Sequence, residues 1–62
     1  MLFDAIFNIA KCYELLNNNE LALSTYDRLL SMEPRRAEAA YNQGVLYYLQ
    51  KDYDNAIKAY FK

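Results

Sequence analysis

The chain has 62 residues, 55% of them hydrophobic, and a net charge of −1 from seven basic and eight acidic side chains. A chain this short buries only about 60% of its unfolded surface, so part of its apolar surface is expected to stay exposed or to be covered by a partner. The balanced charge excludes the clustered basic face of a nucleic-acid binder, and the lack of histidine with a single cysteine, Cys12, excludes an internal disulfide and any zinc-ligand pattern.

The opening stretch MLFDAIFNIAKC is broken by Asp4, Asn8 and Lys11. It has neither the basic start nor the small-residue cleavage site of a signal peptide. It also falls far short of the ~20 apolar residues that cross a bilayer. A soluble chain without membrane insertion is expected, and a lone thiol fits a reducing, cytoplasmic setting.

Phe3, Ile6, Ile9, Ala10, Tyr13 and Leu16 recur at helical spacing and predict a first helix over 3–16. Cys12 lies within it and is expected to be a small buried side chain, with no base to activate it. Asn17–Asn19 breaks the pattern, because asparagine tolerates left-handed angles and caps helix starts. A second helix over 19–32 follows, carrying Ala22, Tyr26, Leu29 and Leu30. Pro34 ends it near Ser31 or Met32, since proline cannot continue a helix and biases Glu33 away from helical angles. Arg35 and Arg36 read as a solvated turn. A third helix over 37–50 carries Ala40, Gly44, Tyr47 and possible contributions from Val45. Gln50–Asp52 forms the third break, with Asp52 as the expected N-cap of a fourth helix over 53–62 bearing Ala56, Ile57, Tyr60 and Phe61. No segment alternates with a period of two, so the expected fold is all-α, with each helix antiparallel to its neighbour.

A shift of 34 residues superimposes the chain on itself. Ala5 falls on Ala39, Asn8 on Asn42, Tyr13 on Tyr47, Leu15 on Leu49, Ala22 on Ala56 and Tyr26 on Tyr60. These are six identities over the 26 aligned positions 3–28 and 37–62, against roughly one or two expected from average usage. A helix pair is written twice.

The residues at fixed offsets resemble the tetratricopeptide repeat, whose signature is W-x2-L-G-x2-Y, then A-x3-F, then P. The first copy gives Ile6, Ile9-Ala10, Tyr13, Ala22, Tyr26 and Pro34; the second gives Ala40, Gln43-Gly44, Tyr47, Ala56 and Tyr60. The resemblance covers nearly the whole chain and implies an α-solenoid of stacked helix pairs. It makes residues 1–62 a single region, with repeat one at about 3–36 and a partial repeat two at about 37–62. Ile6 and Ala40 stand where the family often has a large aromatic, Gln43 where leucine is usual, and Asn17 and Lys51 where glycine is common. Ala40 and Gln43 are expected to loosen packing around the third helix.

In such repeats the two helices of a pair cross closely at a point that admits only small side chains. Ala10 facing Ala22, and Gly44 facing Ala56, would serve there, with Tyr13, Tyr26, Tyr47 and Tyr60 filling the space beside them. This accounts for a glycine inside a helix, where it costs ~0.5–1 kcal/mol relative to alanine.

No catalytic constellation emerges. Asp52 and Asp54 suit a helix N-terminus, while Glu14, Glu20, Asp27 and Glu38 read as surface charges. No enzyme activity, cofactor or metal is expected. By the resemblance, the first helix of each pair lines a concave groove that holds an extended peptide or a partner helix. The groove residues would be Phe7, Asn8 and Lys11 with Tyr41, Asn42, Val45 and Tyr48. A carboxylate clamp for chaperone tails is not expected, because Phe7 and Lys11 stand at the required lysine and first asparagine, and only Asn42 agrees. Arrays of this kind usually need about three repeats for stability. The bare apolar ends therefore imply either a piece of a longer array or self-association, as a dimer or larger, with a helix-swapped dimer as one form.

Gly44→Leu is expected to lower both helicity and melting temperature if the close approach is real. Circular dichroism through a thermal ramp reads both.

Overall fold

The computed structural model describes residues 2–61. Two turns with the same construction set the chain's course. Asn17 and Lys51 both take left-handed angles, with φ of 61° and 63°. In the first, Asn18 N donates to Tyr13 O and Asn17 N to Glu14 O, each at 2.9 Å; in the second, Asp52 N donates to Tyr47 O and Lys51 N to Tyr48 O, also at 2.9 Å. This paired closure satisfies the last carbonyls of a helix through one left-handed residue. The following residue then starts the next helix: Asn18 Oδ1 accepts from Leu21 N, and Asp52 Oδ1 from Asn55 N, each at 3.4 Å. The turn position that the family usually gives to glycine is thus held in the same conformation by Asn17 and Lys51.

The four helices are α1 (Leu2–Leu15), α2 (Asn19–Met32), α3 (Ala37–Leu49) and α4 (Tyr53–Tyr60). Their bounds agree with the sequence expectation to within a residue, except that α4 ends at Tyr60 and Phe61 is its C-cap; the last expected position, Lys62, lies outside the described residues. Between α2 and α3, Arg36 N donates to Glu33 O at 3.1 Å, closing a turn with Pro34 in the second position, where its fixed φ fits.

Helix α1 packs on α2, α2 on α3, and α3 on α4. The Cα atoms fill only 32 × 25 × 14 Å, so the molecule is a plate in which the outer helices have one open side. The core lies along α2. Ala10, Ala22, Tyr26, Leu29 and Ala39 are fully buried, and Phe7, Leu30, Ala40 and Leu46 nearly so. Phe3, Ile6, Tyr13 and Leu23 pack around them.

The plate corrects several expectations. Ile9 and Leu16 were placed on the inward stripe of the first helix, yet both are exposed, and Cys12 is exposed rather than buried. The apolar stripe of α1 is wider than the single neighbour it packs against. In α4, Ala56 and Ala59 turn inward while Ile57, Tyr60 and Phe61 remain largely exposed. Gln43, expected together with Ala40 to loosen the packing, is itself packed into the junction of α2 with α3. It is 1% exposed, and its Nε2 donates to Asp27 Oδ1 at 2.6 Å. Asp27 is exposed, as expected of a surface charge, and also takes part in the helix junction. Gln43 Oε1 is buried without a partner, an arrangement that costs about 1–3 kcal/mol.

Gly44 is buried, but the group nearest to it is not Ala56. A Cβ built on Gly44 would lie 2.6 Å from Tyr60 Cε1 and 2.7 Å from Cδ1. The ring of Tyr60, from α4, occupies the space that a side chain would take. Ala10 and Ala22, the matching pair in the first repeat, are fully buried.

Gly44→Ala is expected to recover most of the ~1 kcal/mol of helix propensity in a Tyr60→Ala background, and much less in the otherwise unchanged chain. Urea unfolding of the four proteins measures the difference. An equal gain in both backgrounds would mean that the ring does not hold that space.

Candidate binding surface

The residues expected to line a groove lie on α1 and α3, the first helix of each pair. Phe7 is buried, its ring tilted against Tyr26 with centroids 6.1 Å apart. Lys11 is exposed, with Nζ 5.5 Å from the centre of the Phe7 ring. Asn8 is exposed one residue along. On α3, Tyr41 and Tyr48 are exposed by 61% and 57%. Each leans on an aromatic of α4: Tyr41 on Tyr60 at 5.9 Å and Tyr48 on Tyr53 at 5.7 Å. Val45 is half-buried. Asn42 is half-buried too, and its Nδ2 donates to the Tyr26 hydroxyl at 3.3 Å. The side chains at this surface thus divide in two. Phe7 and Asn42 are engaged inside the molecule; Asn8, Lys11, Tyr41 and Tyr48 present atoms to solvent.

Of the residues expected to pack closely, Tyr26 is buried, Tyr13 and Tyr47 are half-buried, and Tyr60 and Pro34 are exposed. Burial pushes the Tyr26 phenol up to about 12, with the hydrogen bond from Asn42 opposing the shift and the charges of Glu14 and Glu38 adding to it. Burial also raises the Tyr47 phenol, helped by Asp27 and Asp52.

One contributor has no signal in the helical periodicity. Arg36 was expected in a solvated turn, but it is half-buried and reaches back across the molecule. Its Nη2 meets Asp4 Oδ1 at 2.7 Å and its Nη1 meets Glu33 Oε1 at 3.2 Å. Its guanidinium carbon lies 4.9 Å from the centre of the Phe7 ring. The hydrogen bond to Arg36 holds the Asp4 carboxyl below its usual value, and the same bond raises Arg36. The ion pair is open to water, where such pairs contribute little, so its main effect is to cover Phe7 with a flat cation. Arg36 starts α3 without capping it through its side chain; the side chain is spent on α1 instead.

Two open depressions, of about 510 and 440 Å³, lie at the end of α2, one lined by Asp27, Leu30, Ser31 and Pro34 and the other by Met32 through Arg36. Neither includes a residue of the expected groove. Among the described residues no group of three potential ligands is placed to hold a metal ion, and no helix is long and apolar enough to cross a membrane.

Antiparallel helix pairs repeated at a fixed offset, with α2 packed between α1 and α3, define a helical-repeat protein of the solenoid class. The family model for the tetratricopeptide repeat matches residues 7–62, and the chain belongs to that family. It is similar to anaphase-promoting complex subunit 6 of Dictyostelium discoideum, with 38% identity over 55 residues. That match covers 89% of this chain and 6% of the relative, so the chain spans a small part of the protein it resembles. No solved structure matches the chain.

Because the folded pKa of Tyr26 is about 12 and the unfolded value is ~10, its burial supports the fold fully below the lower value. That support is lost as the pH rises through the window between them. Tyr26→Phe is expected to start less stable by ~1 kcal/mol, the worth of the lost hydrogen bond, and to lose less stability than the parent from pH 10 to 12. Urea midpoints across that range check it; parallel curves would mean that the phenol is not buried in solution.

Proposed function

We propose that the chain is a non-catalytic protein-interaction module that holds a peptide or a partner helix along the α1/α3 surface. Membership of a repeat family supports protein partners, as does similarity to a relative named as a subunit of a larger complex. The observation that carries the surface is the pair of tyrosines on α3, Tyr41 and Tyr48, held half out of the molecule by Tyr60 and Tyr53. A ring buttressed on one face loses little conformational freedom when a ligand covers the other, which is why aromatic residues concentrate binding energy. Asn8 lies exposed beside Lys11, and its carboxamide can both donate to and accept from a peptide backbone.

On the same reading, residues 1–62 form one repeat region with repeat one at about 3–36 and partial repeat two at about 37–62. A net charge of −1 without a basic cluster favours protein over nucleic acid as the partner. A cytoplasmic setting belongs to this reading too, supported by one exposed unpaired thiol, Cys12.

A second reading is self-assembly through exposed faces. It is favoured by the large apolar residues open at the two ends of the plate, among them Leu2 at 70% and Phe61 at 86% exposure.

Selection of displayed twelve-residue peptides against the immobilised chain tests the first reading. Tyr41→Ala combined with Asn8→Ala is expected to weaken a selected peptide at least tenfold, while Leu21→Ala, on the exposed side of α2, leaves it unchanged. Equal binding by all three proteins would exclude the α1/α3 surface.

A further inference from the structure

The repeat offers an internal template for what its two ends can do. At the junction of α2 with α3, two adjacent side chains of α3 meet two adjacent side chains of α2. Asn42 donates to Tyr26, and Gln43 donates to Asp27, at 3.3 and 2.6 Å. Moving each residue by one repeat gives the outward faces of the plate. Asn42 and Gln43 become Asn8 and Ile9 on α1; Tyr26 and Asp27 become Tyr60 and Phe61 at the end of α4.

The two outward pairs match each other. Asn8 and Tyr60 repeat the internal Asn42–Tyr26 pair with identical residues. Ile9 and Phe61 replace the internal polar pair with two apolar side chains, 49% and 86% exposed. Both members differ in the same direction: neither face would set a carboxylate or an unpartnered amide against the other at this position. Two further positions of α1 follow the same rule. Ala39 and Leu46 are buried on α3, and their counterparts Ala5 and Cys12 lie exposed on α1.

We propose that a second copy of this chain docks head to tail, its α1 seated on α4 of the first as α3 is seated on α2. This rests on the self-assembly reading and names its geometry. Asn8 of one copy donates to the Tyr60 hydroxyl of the other, and Ile9 packs on Phe61. The contact joins two different faces, so it does not pair a surface with itself, and each copy keeps one free face for a further partner.

That asymmetry gives the test. Ile9→Glu blocks the α1 face and Phe61→Glu blocks the α4 face; both positions are exposed, so helicity is expected to be kept, as circular dichroism verifies. Ile9→Gln and Phe61→Gln serve as milder substitutes should either charge unfold the chain. Light scattering behind a sizing column is expected to show the parent chain above its 7.3 kDa monomer mass, rising with concentration. Each variant alone is expected at the monomer mass, and an equimolar mixture at twice it, because each supplies the face that the other lacks. A parent chain that stays monomeric at high micromolar concentration overturns both the self-assembly reading and this geometry. Variants that still associate alone, or a mixture that stays monomeric while the parent associates, overturn the geometry and leave self-assembly standing through other faces.

Discussion

The side chain of Tyr26 is where three of the four helices meet. It projects from α2, lies fully buried, sets its ring at a tilt against Phe7 of α1 and accepts a hydrogen bond from Asn42 of α3. Ala10 and Ala22, both fully buried, belong to the same core cluster and add little bulk to it. Dispersion contacts of the ring and burial of its apolar edge then hold α1 to α2. The hydroxyl accepts from the Asn42 amide, which offsets part of the cost of burying so polar an atom.

Much of this was legible because it is written twice. The turn at Asn17 and its counterpart at Lys51, the caps at Asn18 and Asp52, and the paired tyrosines recur at one offset, so each occurrence vouches for the other. Helix ends were read from local chemistry: a proline that cannot be helical, an asparagine run, an aspartate that caps. Burial was harder to read. The apolar stripe of α1 includes Ile9 and Leu16, and periodicity alone assigns them to the interior. A plate 14 Å thick does not have enough interior to take them. Periodicity reports which side of a helix is apolar, not whether anything lies against it.

The contacts that sequence reading missed are those between residues far apart in the chain. Arg36 and Asp4 are 32 positions apart, and Gln43 and Asp27 are 16 apart. Neither pair follows from local spacing, because each depends on how one helix pair sits on the next. The same holds for the candidate surface. Phe7 and Asn42 share helix faces with exposed neighbours, yet one is covered by Arg36 and the other is drawn to Tyr26. Periodicity could place them on the face but not say which atoms remained free.

The polar pair at the α2–α3 junction also explains how a fold made mostly of small and aromatic contacts keeps one register. Apolar surfaces slide past one another at modest expense, since a slipped contact is replaced by a similar one. Gln43 and Asp27 admit no such replacement. A shift of one helical turn would leave the buried Gln43 amide without its partner, a cost that the exposed Asp27 carboxylate, free to return to water, would not share. The orphaned Gln43 Oε1 shows that even the correct register is not free of penalty, which is the pattern expected where a polar contact selects an arrangement rather than strengthens it. The outward faces carry Ile9 and Phe61 at the matching positions. In the proposed head-to-tail contact these two apolar side chains would pack without demanding an alignment, and the Asn8 carboxamide and the Tyr60 hydroxyl would fix the register.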